Sequence, residues 1–123
     1  MLVVDASAIG ALVFGEPQAE TVAAQLGEHP LAAPALIWFE LASIALKKIK
    51  AYPVERLHIL RALTLARSLA IRTAEVDHQA IIALSERTGL TTYDASYLWL
   101  AQEVGEELVT LDQKLARVAA GRF

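Results

Sequence analysis

The chain begins with the stretch Leu2-Val3-Val4-Asp5-Ala6-Ser7, in which an apolar run ends in a carboxylate and a hydroxyl follows two residues later. A run of Leu and Val without polar alternation is typical of a strand buried on both faces, as in the centre of a parallel sheet. Ligands of open α/β sheets bind outside the carboxyl ends of the strands, where we expect Asp5. Taken alone, however, Asp5 is better interpreted as the N-cap of the next helix, because Asp is a preferred capping residue.

Beyond this stretch, short apolar runs alternate with helical patterns to the end of the chain. Because strands that alternate with helices form parallel sheets, the pattern predicts an α/β fold with the sheet covered on both faces. The sequence contains no repeat, linker or low-complexity tract, so residues 1–123 are interpreted as one domain. Further strands are predicted over 69–72, 90–93 and 107–111, and residues 29–34 are interpreted as a short strand or an extended link. Helices are predicted over 8–14, 16–26, 35–50, 54–68, 74–87, 95–103 and 113–120.

The composition excludes several classes of protein. The 123 residues include no Cys, which rules out disulfides, thiolate catalysis and cysteine-based zinc sites. The net charge of −3 argues against nucleic-acid binding by bulk positive charge, although it is compatible with acids gathered in one cleft. No stretch is long enough for a membrane span and the N-terminus lacks a basic signal region, so a cytoplasmic protein is predicted. The 55% hydrophobic content indicates a further buried surface, such as an oligomer interface.

Three predicted strands end in an aspartate, namely Asp5, Asp94 and Asp112. Each of them alone is more simply explained as a helix cap. In a parallel sheet, however, all three lie at the same edge, and they converge if their strands are neighbours. Carboxylates a few Å apart repel one another by about 4 kcal/mol per pair at a surface-like dielectric, so such a cluster requires a compensating charge.

A fourth acid, Glu40, lies within the most hydrophobic helix of the chain. An unpaired buried carboxylate is unfavourable, so Glu40 needs a cation, hydrogen-bond donors or a solvated cleft. A divalent cation would satisfy all four acids, and a set of hard oxygen ligands favours Mg²⁺ or Mn²⁺. Ser7 and Thr110 place hydroxyls beside two of the acids, where they would position a carboxylate, a water or a phosphate oxygen.

At these residues the sequence resembles the PIN domains of VapC-type toxins. The matching motifs are Val4-Asp5-Ala6-Ser7, Glu40-Leu41, Tyr93-Asp94-Ala95-Ser96-Tyr97-Leu98 and Leu108-Val109-Thr110-Leu111-Asp112. The resemblance implies a Rossmann-like, three-layer α/β/α fold with a five-stranded parallel sheet, and Mg²⁺- or Mn²⁺-dependent endoribonuclease activity on RNA. It also implies a homodimer, a cognate antitoxin, and an acidic site formed by Asp5, Glu40, Asp94 and Asp112 with Ser7 and Thr110 in support.

One departure from the resemblance concerns the number of metal ions. Many relatives have a further acid after the last aspartate, whereas residues 113–116 of this chain supply none. A second complete metal site is therefore left open. In the implied mechanism a metal-activated water attacks the phosphodiester, and no side chain acts as nucleophile.

Histidines, aromatic residues and two cations are further candidates for a functional role. The three histidines match no zinc-binding spacing and are interpreted as surface or structural residues. Base stacking is one interpretation of four aromatic residues, but core or dimer packing is preferred at their spacings: Trp38, Phe39, Tyr97 and Trp99. Lys114 and Arg117, close in sequence to Asp112, are the first candidates for phosphate contact.

Two alternatives to a nuclease remain open. A non-catalytic PIN-like interaction module is disfavoured because all four acids are intact. A phospho-aspartate protein, either a receiver domain or a haloacid-dehalogenase-like phosphatase, is ranked low. The receiver requires adjacent acids before its phosphoacceptor strand, and the phosphatase requires an acid where Ser7 stands.

Overall fold

A computed structural model describes residues 1–121. Its sheet contains four strands: β1 (Leu2–Val4), β2 (Leu31–Pro34), β3 (Arg72–Ala74) and β4 (Leu108–Val109). The helices are α1 (Ala6–Val13), α2 (Ala19–Leu26), α3 (Ile37–Ala51), α4 (Arg56–Ser68), α5 (His78–Thr88), α6 (Thr92–Val104) and α7 (Gln113–Ala119), with a short 3₁₀ turn (Pro53–Glu55) before α4.

The four strands form one parallel sheet in the order β3-β2-β1-β4. The chain leaves β1 towards β2 on one side, and β4 later returns to the other side of β1. The order of the strands therefore reverses between β1 and β4, which is where ligands bind in open α/β sheets. Val3 pairs with Leu108 and Val4 with Val109, so Asp5 and Thr110 follow side by side at the carboxyl edge.

The core occupies both faces of the sheet, as the fully apolar β1 predicts. Successive side chains of a strand point to opposite faces. Val3 belongs to a small buried cluster with Leu100 and Ala101 of α6. Leu2 and Val4 belong to a separate, larger buried cluster. The predicted α/β class with a covered parallel sheet is therefore confirmed.

The prediction of a fifth strand was wrong for residues 1–121. The segment 90–93 is not a strand, because α6 already begins at Thr92. The hydroxyl of Thr91 caps this helix by accepting a hydrogen bond from the backbone N–H of Asp94 at 3.1 Å. A short run of apolar and β-branched residues does not distinguish a strand from a capped helix start, and here the cap determines the structure. Asp94 thus lies in the first turn of a helix and not after a strand.

Smaller differences concern the bounds of other elements. The strand predicted over 69–72 begins only at Arg72, because Ala70 adopts a left-handed φ of 55° that interrupts extended backbone. The helix predicted over 74–87 begins at His78, where Asp77 is the N-cap. Among residues 1–121, no helix combines the length and the apolar character that a membrane crossing requires.

Candidate active site

The structure brings the four predicted acids to one cleft of about 540 Å³ at the carboxyl edge of β1. Each acid reaches the cleft from a different element. Asp5 follows β1, Glu40 lies in the first turn of α3, Asp94 lies in the first turn of α6, and Asp112 is the N-cap of α7. All four acids therefore lie at the starts of helices, and among them only Asp5 directly follows a strand.

Asp5 is both a helix cap and a wall of the cleft. Only 4% of it is exposed, and its Oδ1 accepts hydrogen bonds from the Ala8 N–H at 3.0 Å and from Ser7 Oγ at 2.7 Å. Its Oδ2 accepts a hydrogen bond from the hydroxyl of Thr110 across the β1–β4 junction. The two interpretations of Asp5, cap and site residue, are thus compatible in one geometry.

Ser7 and Thr110 both use their hydroxyl protons to hold Asp5. Each hydroxyl has one proton, and each donates it to Asp5. The 3.3 Å approach between the two hydroxyl oxygens therefore has no proton left to make it a hydrogen bond. As acceptors, Ser7 Oγ receives the Leu111 N–H at 2.9 Å and Thr110 Oγ1 receives the Asp112 N–H at 3.0 Å. The pair fixes Asp5 relative to the start of α7.

Burial and repulsion raise the pKa of Asp5 above its ordinary value. Desolvation is the largest cause, and the negative charge of Asp112 acts in the same direction. The hydrogen bonds from Thr110, Ser7 and Ala8 lower the pKa and offset part of the increase. The carboxylate is held in place by three donors but still lacks a compensating charge.

Glu40 is held by a residue that the sequence did not single out for the site. The phenol of Tyr97 donates a hydrogen bond to Glu40 Oε1. Burial raises the pKa of Glu40, the Tyr97 bond lowers it, and the charges of Asp94 and Asp5 raise it further. Tyr97 is almost fully buried, and its own pKa is raised by desolvation and by Glu40, so the phenol keeps its proton. The available signal was spacing, since Tyr97 follows Asp94 by three residues on the same face of α6.

Asp94 is half-buried, and its pKa is also raised. Desolvation is the first cause, followed by repulsion from Asp112 and Asp5. Lys114 lowers the pKa of Asp94, which places its ammonium within electrostatic reach of this carboxylate. The Lys114 Nζ donates a hydrogen bond to the carbonyl of Gly89 at 2.9 Å. Lys114 thus stands near the acids but outside the lining of the cleft.

The structure does not bring Arg117 to the acidic cleft. This residue lies exposed in the last turn of α7 and does not line the cleft. Among residues 1–121, those that line the cleft include no Lys, Arg or His. Four carboxylates therefore share one recess without a cation in its wall, which gives the recess a strong affinity for positive charge.

The donor set of the cleft fits a hard divalent cation that retains water. All four ionisable acids offer carboxylate oxygens. Within residues 1–121, no three acidic or histidine side chains are grouped tightly enough to coordinate one ion directly. Mg²⁺ usually takes one or two protein carboxylates and completes its shell with waters, which this spacing suits.

A sequence profile described as "PIN domain" matches residues 2–121. The chain belongs to the PIN domain family. The ribonuclease VapC3 of Pyrobaculum aerophilum is similar to this PIN domain, with 38% identity over 124 residues that cover 94% of this chain and 92% of that protein. The family predicted from the four sequence motifs is thus confirmed, and the phospho-aspartate alternatives fall away.

A solved structure supports the fold of this PIN domain. The crystal structure of PAE2754 from Pyrobaculum aerophilum superposes with a TM-score of 0.80 at 27% sequence identity. The match covers 99% of this chain and 87% of that chain. The parallel α/β sheet described above is therefore the PIN fold, with four strands in residues 1–121.

Proposed function

We propose that this PIN domain is a divalent-metal-dependent endoribonuclease of the VapC toxin type, which hydrolyses phosphodiester bonds of RNA. The single observation that carries the proposal is the cleft in which Asp5, Glu40, Asp94 and Asp112 meet, and to whose wall no Lys, Arg or His of residues 1–121 contributes. The similarity to a protein named ribonuclease VapC3 supports the choice of RNA as substrate.

Asp5 and Asp94 are the proposed direct ligands of Mg²⁺ or Mn²⁺. Both carboxylates are desolvated and repelled by neighbouring acids, as their raised pKa values indicate, so an added cation stabilises their ionised forms. Glu40 and Asp112 would act through waters of the ion, because no three acids within residues 1–121 are grouped tightly enough to coordinate one ion directly. The absence of an acid over residues 113–116 favours a single ion in each cleft.

The bound ion would lower the pKa of a water and stabilise negative charge on the phosphate. The side chains of the protein orient the carboxylates that would hold the ion. Ser7 and Thr110 orient Asp5 through their hydroxyl protons, and Tyr97 orients Glu40. Lys114, next to Asp94, is the proposed phosphate contact, whereas the exposed position of Arg117 outside the cleft supports at most a contact with a more distant phosphate.

A cognate antitoxin and a homodimer belong to the same proposal. Several large apolar side chains are exposed on α3, α4 and the turn between them, such as Val54 at 94% and Leu57 at 67%. Exposed apolar surface of this kind is typical of protein interfaces. The runner-up function, a non-catalytic interaction module, would use the same surface but would leave the acidic cleft without a purpose.

Cleavage of single-stranded RNA in Mg²⁺ by wild type and by Asp94→Asn tests the proposal. We expect wild type to cleave and Asp94→Asn to lose nearly all activity. Asp77→Asn is the matched control, because it makes the same substitution at the start of another helix, where Asp77 accepts a hydrogen bond from the Ala80 N–H at 3.1 Å, outside the cleft. An inactive wild type, or an Asp94→Asn variant as active as wild type, would favour the interaction module or a different site.

A further inference from the structure

We propose that Phe39 and Tyr93 form a stacking platform for the unpaired bases on either side of the scissile phosphate. This inference rests on the proposed function and adds to it the residues that recognise the bases of the RNA. The two side chains are called the aromatic platform below.

The aromatic platform lies in the wall of the acidic cleft. Phe39 is 80% exposed and Tyr93 is 62% exposed, yet both line the cleft that holds the four acids. Each directly precedes an acid of the cleft, Phe39 before Glu40 on α3 and Tyr93 before Asp94 on α6. Two separate helices therefore each present an aromatic ring and a carboxylate to the same recess. A phosphate at the acids would place its neighbouring nucleosides within reach of the rings.

The charge of the cleft indicates why aromatic contacts are needed. Affinity for nucleic acid usually comes from Lys and Arg at phosphates, but the described part of the chain contributes neither to the wall of this cleft. The chain as a whole carries a net charge of −3. Stacking of a base on an aromatic ring is uncharged and strengthens binding by at least about fivefold per base. Stacking thus supplies affinity where the acids oppose the RNA backbone.

A second recess adjoins the platform. It has a volume of about 800 Å³, and Leu36 and Tyr93 line both it and the acidic cleft. Besides Tyr93, the ionisable residues that positions 1–121 contribute to its lining are Glu75 and His78. A largely apolar pocket that continues from the site of the phosphate suits the base of the next nucleotide. Such a base must be free of a duplex, because RNA bases are read on their faces only where they are splayed out.

The alternative occupant of the platform is a protein surface, either a second copy of this chain or a partner. A protein seated on Phe39 and Tyr93 would cover the wall of the acidic cleft and close it to substrate, so the rings face RNA whenever the enzyme acts. Exposed apolar side chains away from the cleft, such as Tyr52 and Leu46, are free of this conflict. They serve as matched controls.

The test uses a short single-stranded RNA with 2-aminopurine at each position in turn, whose emission is quenched by stacking. The Asp94→Asn background keeps the RNA intact during binding in Mg²⁺. We expect quenching at the bases next to the cleavage site, and a loss of RNA affinity of at least about fivefold on Phe39→Ala or Tyr93→Ala. Phe39→Trp and Tyr93→Phe retain the rings and restore binding, whereas Tyr52→Ala and Leu46→Ala bind as the parent does.

Cleavage kinetics of the otherwise wild-type chain provide a second readout. Phe39→Ala and Tyr93→Ala should raise KM for single-stranded RNA, and the same sequence in a duplex should be a poor substrate for wild type. If wild type cleaves RNA but the alanine variants match it in quenching and KM, the platform is overturned while the proposed function stands, even if those variants change the oligomeric state. A wild type that does not cleave overturns the function, and the quenching still reports on the platform.

Discussion

The phenol of Tyr97 donates its proton to Glu40, so a residue of α6 holds an acid of α3 that lies fifty-seven positions earlier in the chain. Tyr97 is 1% exposed and fixed by the core, which gives the carboxylate a rigid partner. Glu40 therefore lines the cleft with Oε1 occupied by Tyr97, and Oε2 is the oxygen that would meet a ligand or its water.

Tyr97→Phe removes this donor and keeps the ring. We expect ribonuclease activity to fall by about 10- to 100-fold, because Glu40 loses the bond that orients it and carries a higher pKa. The measurement is kcat/KM as a function of pH, in which the acidic limb should move to higher pH. Tyr52→Phe, at an exposed tyrosine outside the cleft, is the control. An unchanged pH profile in Tyr97→Phe would show that the bond is merely structural.

Asp94→Asn should stabilise the metal-free protein while it abolishes activity. The variant removes a half-buried charge that is repelled by Asp112 and Asp5. We expect the Tm in chelator to rise by a few degrees. Thermal unfolding followed by circular dichroism is the measurement, and a lower Tm would contradict the repulsion described above.

Asp5→Ala should have the opposite effect on stability. The substitution removes the cap of the Ala8 N–H and leaves the hydroxyls of Ser7 and Thr110 without their acceptor. Loss of a cap alone costs about 1 kcal/mol, so the free energy of unfolding should fall by at least that amount despite the relief of repulsion. Urea unfolding in chelator gives the value. A variant more stable than wild type would mean that the capping role of Asp5 is negligible.

Stability should depend on pH in the direction set by the raised pKa values. The unfolded carboxyls titrate near 3.8 for Asp and 4.5 for Glu, whereas burial raises the folded pKa of Asp5, Glu40 and Asp94. The folded state therefore binds protons more readily, so the contribution of these groups becomes more favourable as pH falls from about 7 towards about 4. In chelator, the stability advantage of Asp94→Asn over wild type should shrink over this range. A stability advantage of Asp94→Asn that grows as the pH falls would contradict a raised pKa of Asp94 in the folded state.

The sequence was sufficient to predict the parallel sheet because β1 is apolar at every position and ends in an acid. It was insufficient for 90–93, where β-branched and apolar residues resemble a strand. The competing signal was present, since Thr91 and Asp94 have the Ser/Thr-x-x-acid spacing of a helix start. The side-chain cap, which is a local interaction, prevailed over the apolar pattern.

The acids of the site were accessible from the sequence, but their supporting residues were only partly so. Ser7 and Thr110 were identified because they adjoin acids along the chain. Tyr97 was assigned to packing, because its bond to Glu40 joins two helices whose relative position no local pattern encodes. Phe39 was assigned in the same way, and only its 80% exposure at the cleft separates it from a core residue.

Titration of Mn²⁺ into the metal-free protein, followed by calorimetry, tests the central claim most directly. Wild type and Asp77→Asn should bind the ion alike, because Asp77 caps a helix away from the cleft. Asp5→Asn and Asp94→Asn, each checked for folding, should lose at least about tenfold in affinity. Mn²⁺ binding that is unchanged in both variants, or absent from wild type, would contradict a metal site formed by these carboxylates.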